Sequence, residues 1–425
     1  MSDPASRLSR RLGTSDAAVI GLGAMVGTGV FVVWSPAAER AGAWLLAGLA
    51  VAALVAFCNA ASSAQLAAIH PQSGGAYVYG RERLGPTWGA AAGYAFVGGK
   101  VASCTAAALA VGTYLWPDQA RPVAVAAAVA VTAVNLAGVT KTARATRWLL
   151  AAVLAVLAAT VAVALAGDRP EPLVGPDAVI GDVDPLDVLG AAALLFFAFA
   201  GYARIATLGE EVRDPRRTIP RAVPIALGAA LAVYLVVGAT LVVVLGPDRT
   251  AEAARPLVDL VEVAGAGWMS PVVVIGAGIA ALGALLSLVA GVSRTAFAMA
   301  AQGDLPRALD AVHPRRRVPH RAEVAVGVAV VIAVLTGGLV GAVAFSAFTV
   351  LLYYAVTNAA ALRLGAGERL WPRVVPAVGL AGCLVLALTL PPSTVALGLG
   401  WIAGCLLVRA VAHRVPGGPR APYAG

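Results

Sequence analysis

Between residues 16 and 413 the chain is laid out as about twelve apolar blocks. Each is near the 20 or so residues that a helix needs to cross a hydrocarbon core about 30 Å thick. They run approximately 16–40, 43–69, 86–116, 122–139, 147–167, 186–212, 221–246, 269–301, 322–341, 344–364, 374–390 and 393–413. The blocks are continuous, without the alternation of a transmembrane barrel, so helices are the spanning element. Only 12% of residues are charged, about half the roughly 25% of a soluble chain. That is too little charge to cover a water-facing surface of this size. The expected class is an all-α polytopic membrane protein with about 12 transmembrane helices.

The loops between the blocks carry the orientation signal. Of the 31 Lys and Arg residues, 24 fall on one side, five fall on the other, and Lys100 and Arg204 lie within spans. Basic loops stay in the cytoplasm, so both termini are expected there, in the plasma (inner) membrane of a bacterial-type cell. The net charge of +9 is spread over these short loops and not over one face. Membrane lipid, not nucleic acid, is the partner this implies, and the Arg315–Arg316–Arg317 run is placed to touch anionic lipid. Acidic stretches occupy two outside loops, Asp168 to Asp187 and Asp248 to Glu262. Both fit solvated surface, and Leu257, Leu260 and Val261 at helical spacing equally fit a lid in the second.

Chemistry of the enzymatic kind finds no support. Cys58, Cys104, Cys383 and Cys405 lie in apolar blocks without CxxC pairing, and the four histidines sit at loop ends without metal-ligand spacing. Gly21-x-Gly23-x-x-x-Gly27 lacks the βαβ surroundings of a dinucleotide fingerprint. No Walker sequence or partnered serine nucleophile is present. No enzyme, cofactor or metal site is expected.

Two blocks are unlike the others. Ile20 to Phe31 holds four glycines in nine residues, and the sixth block reads Phe196-Phe-Ala-Phe-Ala-Gly-Tyr-Ala-Arg204. Close helix packing is one reading of such glycines. If spans 1–5 and 6–10 are inverted repeats, however, the two stretches hold matching places at the start of each half. Interrupted helices at matched positions mark a binding site near the bilayer midplane. A break frees N–H groups that can hold a carboxylate and carbonyls that can hold an ammonium group. A zwitterion has both poles.

These motifs resemble the amino acid–polyamine–organocation transporters, with their LeuT-like fold. Gly21-Leu-Gly-Ala-Met-Val-Gly-Thr-Gly-Val-Phe31 resembles the family's first-span signature. Pro71-Gln-Ser-Gly-Gly-Ala-Tyr-Val-Tyr79, with Leu84-Gly-Pro86, resembles its first cytoplasmic loop. Glu210-Glu-Val-Arg-Asp-Pro-Arg-Arg-Thr-Ile-Pro220 resembles the exit from its sixth span. Ser293-Arg294, Met299-Ala300 and Gly303-Asp-Leu-Pro306 resemble the end of its eighth. The resemblance implies a 5+5 inverted repeat plus two peripheral helices. Residues 1–15 would be a cytoplasmic tail, 16–167 the first repeat, 168–185 an acidic loop and 186–364 the second repeat. Residues 365–413 would be the peripheral pair and 414–425 the other tail.

By the same resemblance, the amides around Gly27, Thr28 and Gly29 would receive a carboxylate, and the carbonyls of Met25, Phe197 and Ala200 an amino group. Ala198 and Gly201 complete the sixth-span side of the site, with Phe197 and Tyr202 as gating aromatics or plain core. The implied activity is secondary transport of amino acids by alternating access. A polyamine or other amine carrier, an exchanger, or a sensor of the same fold are the alternatives. The chain departs from the family at Ala203, where many relatives are acidic, and near Val153, where some carry lysine. The eighth span offers only Ser287 near a sodium position, so the coupling ion, H+ or Na+, stays open.

Two charges inside spans are functional by default, since each costs about 2.5–3.5 kcal/mol at a helix centre on insertion scales. Lys100 is expected either to stand in for the missing lysine, as proton carrier or fixed charge, or to line a hydrated vestibule. Arg204 is expected to pair with Glu210 or Glu211 at the cytoplasmic gate, with substrate contact as the alternative. Both argue against a cationic substrate.

Overall fold

The computed structural model describes residues 12–70, 72, 74–138, 143–167, 183–206 and 212–414. Every expected block is helical. The first is divided into α1 (Thr14–Met25), α2 (Gly29–Val32) and α3 (Trp34–Ala41), and the next is α4 (Leu45–Ile69). A short α5 (Ala76–Leu84) leads to α6 (Pro86–Leu115), α7 (Ala120–Leu136) and α8 (Ala143–Ala166). The second half opens with α9 (Pro185–Phe199), α10 (Ala203–Ala206) and α11 (Pro215–Thr240). It continues through α12 (Pro247–Glu252), α13 (Pro256–Val263), α14 (Ser270–Ala301), α15 (His320–Thr336) and α16 (Leu339–Leu362). The last two helices are α17 (Val374–Leu388) and α18 (Pro392–Arg414). Among the described residues the sole β pairing is one isolated bridge between Leu12 and Val212.

Among the described residues ten helical stretches are long and apolar enough to cross a membrane. The two short ones are α15, at 17 residues, and α17, at 15. Their lengths have local causes. Gly337 and Gly338 divide the expected 322–341 block, and Pro372 and Pro391 flank α17. Apolar side chains on the outer faces, such as Ile225, Val243, Leu397 and Val408, are exposed, which hydrocarbon tolerates and water does not. Exposed tryptophans sit near helix ends at Trp88 and Trp116. The 28 steps from one to the other span about 42 Å of helix, matching a bilayer of about 40–45 Å with its interfaces, where tryptophan collects.

Polar ties fasten the basic-loop side. The carboxylate of Asp304, after α14, accepts from Arg81 (2.7 Å), Arg409 (2.6 Å) and the Tyr77 hydroxyl (2.7 Å). Its carbonyl accepts from Tyr94 at 2.6 Å. One buried acid thus joins α5, α6 and α18. Nearby, Arg83 donates to His70 at 3.1 Å and forms a two-pronged pair with Glu368. On the opposite side, the Asp248 to Glu262 loop folds into α12 and α13. Leu257, Leu260 and Val261 are fully buried there, and Ser35 donates to the Ala253 carbonyl at 2.6 Å. The helical spacing of those three residues therefore marks a packed face.

Candidate binding site at the paired helix breaks

The first break has a defined backbone course. α1 stops at Met25, and Val26 turns at φ −78°, ψ 63°, an inverse γ-turn closed by the Gly27 N–H on the Met25 carbonyl at 2.8 Å. Helical backbone resumes at Gly29. Among the described residues, neither the Thr28 nor the Gly29 N–H has a hydrogen-bond partner, and the buried Thr28 hydroxyl has none either. The second break follows Phe199, where a 3-10 turn over Ala200–Tyr202 replaces the α-helical ladder before α10. Its first bond runs from the Ala200 N–H to the Phe197 carbonyl.

The two breaks press backbone against backbone. A Cβ built on Gly29 would stand 2.7 Å from Ala198 Cα, and one on Gly201 would stand 2.3 Å from the Ala24 carbonyl oxygen. Real side chains never come so close, so glycine at 29 and 201 is what allows the contact. Met25, Gly29, Ala198 and Gly201 are thereby brought together, with Gly27, Thr28, Ala200 and Tyr202 alongside in the same two turns. Phe197 is the half-buried residue of its stretch, whereas Phe196, Phe199 and Tyr202 are buried.

Tyrosines absent from the sequence expectation hold the breaks in place. Tyr234, on α11, has its hydroxyl 2.8 Å from the Met25 carbonyl and 2.9 Å from the Ala198 carbonyl. A hydroxyl has one proton, so two carbonyls freed by two breaks share one donor. The ring lies edge-on between Trp34 and Phe199, with centroids 6.5 and 5.0 Å away. Tyr114, on α6, donates to the Phe31 carbonyl at 2.8 Å. Tyr234 is the one tyrosine of α11 and Tyr114 one of two in α6, a weak signal that depth in the block alone could have raised.

The charged candidates lie elsewhere. Lys100, on α6, is buried, with its ammonium 6.0 Å from the Phe96 ring. It is fourteen residues, about 21 Å of helix, from Tyr114. Among the described residues no carboxylate forms an ion pair with it. Arg204 is exposed on α10. Glu210, its expected partner, lies outside the described residues. Among the described residues no cluster of His, Cys, Asp or Glu could hold a metal ion.

Long apolar helices, two of them broken and joined at their breaks, define a multi-pass membrane protein. A family model described as amino acid permease matches residues 16–389. The chain belongs to the amino acid permease family, whose members are transporters and not enzymes. It is 57% identical over 399 residues to an uncharacterized transporter of Mycobacterium tuberculosis, covering 93% of this chain and 90% of that one. It is 27% identical to the branched-chain amino acid permease of Bacillus subtilis, over 74% of this chain and 72% of the relative. It is also 29% identical to the human cationic amino acid transporter 4, over 82% of this chain and 58% of the relative.

Proposed function

We propose that the protein is a secondary transporter that carries a zwitterionic amino acid at the paired breaks. The observation that carries this reading is the convergence of unpaired donors and shared acceptors in one place. Thr28 and Gly29 offer two N–H groups and a hydroxyl, at the start of the helical stretch that runs into α3, to a carboxylate. The Met25 and Ala198 carbonyls, which share the single Tyr234 proton, are the acceptors for an ammonium group. The Phe197 carbonyl, bonded to the Ala200 N–H as the Met25 carbonyl is to the Gly27 N–H, is a further acceptor.

The relatives' names divide between branched-chain and cationic cargo. Here the site residues apart from Thr28 and Tyr202 are apolar and no carboxylate stands among them, which favours a neutral side chain. A polyamine would leave the Thr28 and Gly29 donors without an anion, and this makes it the second reading. Alternating access, a 5+5 inverted repeat with α17 and α18 peripheral, and both termini in the cytoplasm of a plasma-membrane protein complete the proposal. Lys100 is proposed as the coupling charge for H+, and Arg204 with Glu210 as a gate pair.

Counterflow into proteoliposomes tests the reading. Liposomes preloaded in turn with leucine, arginine, alanine or spermidine should accumulate the matching labelled solute, with the neutral amino acids fastest. Accumulation of spermidine alone would move the assignment to amines. Lys100→Gln should flatten the pH dependence of uptake, and an unchanged profile would remove Lys100 from coupling.

A further inference from the structure

Nine buried side-chain nitrogen or oxygen atoms among the described residues lack a hydrogen-bond partner. Five belong to one group beside the sixth-span break: Asn59 Nδ2, Ser62 Oγ, Tyr202 Oη, Tyr354 Oη and Asn358 Oδ1. Buried polar atoms are nearly always paired, so five orphans in one seam need a cause.

The seam lies between α4 and the Tyr202 turn on one side and α16 and α17 on the other. Asn358 Nδ2 uses both protons, on Asn59 Oδ1 at 2.6 Å and on the Tyr354 carbonyl at 3.0 Å. Asn59 Oδ1 accepts a second bond from the Cys383 thiol at 3.2 Å. That accounting strands the Asn358 oxygen and the Asn59 amino group. Tyr202 and Tyr354 lie ring against ring, with centroids 5.0 Å apart, and the Tyr202 hydroxyl faces both Tyr354 and Asn59 without closing a bond of normal length and angle to either. Ser62, one turn beyond Asn59, faces the same way. The unpaired set mixes donors and acceptors and holds no carboxylate. Such a set suits water, which gives and takes hydrogen bonds, and does not suit a bare cation.

We infer that the Asn59–Asn358 contact is the closed form of a gate, and that the seam takes up water when it opens. The five atoms find their missing partners in that open state, where the turn carrying Tyr202 has parted from α16. The hydration itself is independent of the cargo, while its place in a transport cycle rests on the function proposed above.

Hydroxyl-radical footprinting of the full-length protein in lipid nanodiscs reads the seam directly, because radicals form where water reaches. Tyr114 and Tyr234 are equally buried but fully bonded, and serve as internal references. Tyr202 and Tyr354 should be modified several-fold faster than those two. Removing the contact that holds the seam shut, by Asn358→Ala, should raise their rate further, and an unchanged or lower rate would overturn the gate. Equal rates in the unmodified protein would overturn the gate. So would an excess that disappears when sodium replaces choline at constant ionic strength, since this would assign the seam to a bound cation. A protein that footprints as expected but carries no amino acid would keep the gate and lose the transport reading.

Discussion

The hydroxyl of Tyr234 lies 2.8 Å from the Met25 carbonyl oxygen, tying α11 to the break between α1 and α2. The same proton is within reach of the Ala198 carbonyl, so one side chain spans both interruptions. A freed carbonyl in hydrocarbon must find a donor, and Tyr234 supplies it where no helix can.

Tyr234→Phe keeps the ring between Trp34 and Phe199 and removes only that donor. Leaving the carbonyls short of it should cost about 1–2 kcal/mol of stability. A lower melting temperature of the purified protein checks this. An unchanged one would mean that the two carbonyls are satisfied in another way.

Three glycine substitutions separate the breaks from ordinary helix. Gly29→Ala and Gly201→Ala each drive a Cβ into backbone at 2.7 Å or less, and should cost about 1–3 kcal/mol or more by overpacking. Gly228→Ala, on α11 with nothing within 4 Å of the new Cβ, should be neutral or stabilising by up to about 1 kcal/mol. Thermal melts of the three variants side by side give the ordering.

How much of this was legible in the residues follows from the range of each interaction. The apolar blocks are local, and all became helices. The glycine string of the first block and the Phe196–Arg204 stretch of the sixth are local too, and the two breaks fall inside them. What the breaks touch depends on partners far along the chain: Met25 on Tyr234, 209 residues away, and Asn59 on Asn358, 299 away. A single tyrosine or asparagine in an apolar helix carries no mark of its partner. The expected 322–341 block overruns its helix for another reason, since apolar residues continue across the Gly337–Gly338 break whereas α15 ends at Thr336.

Asp304→Asn should destabilise strongly. The Asp304 side chain is 1% exposed and neutralises Arg81 and Arg409, themselves 24% and 17% exposed. Breaking a buried pair costs about 3–5 kcal/mol, and the partial exposure of the arginines sets the lower end. The Tyr77 bond can survive on the amide oxygen. Loss of α18 docking, read as faster proteolysis near Arg409, is the accompanying sign.

Acid should loosen the end of α4. Burial, and after it the Arg83 guanidinium, hold His70 below the usual histidine value. Its Nε2 accepts from Arg83, which only an unprotonated ring nitrogen can do. The unfolded chain therefore takes this proton more readily than the folded one. Stability tied to neutral His70 is complete above about pH 6.5 and declines as pH falls through that value toward the folded-state one. Glu368, held below the usual carboxylate value chiefly by its bond to Arg83, loses its share only at lower pH, as pH falls through its own range. Melting temperature should fall on acidification from about pH 7.5 to about pH 5.5, and His70→Gln should flatten the upper part of that curve.

The central claim is a two-poled site at the paired breaks, and ligand-dependent thermal stabilisation tests it most directly. Free amino acids, their decarboxylated amines and polyamines are added in turn to the purified protein. A ligand at a hundred times its dissociation constant raises folding stability by about 2.7 kcal/mol. The account predicts stabilisation by a neutral amino acid, none by its amine, and loss of the effect in Gly29→Ala. Stabilisation by amines alone, or by amino acids undiminished in Gly29→Ala, would contradict it.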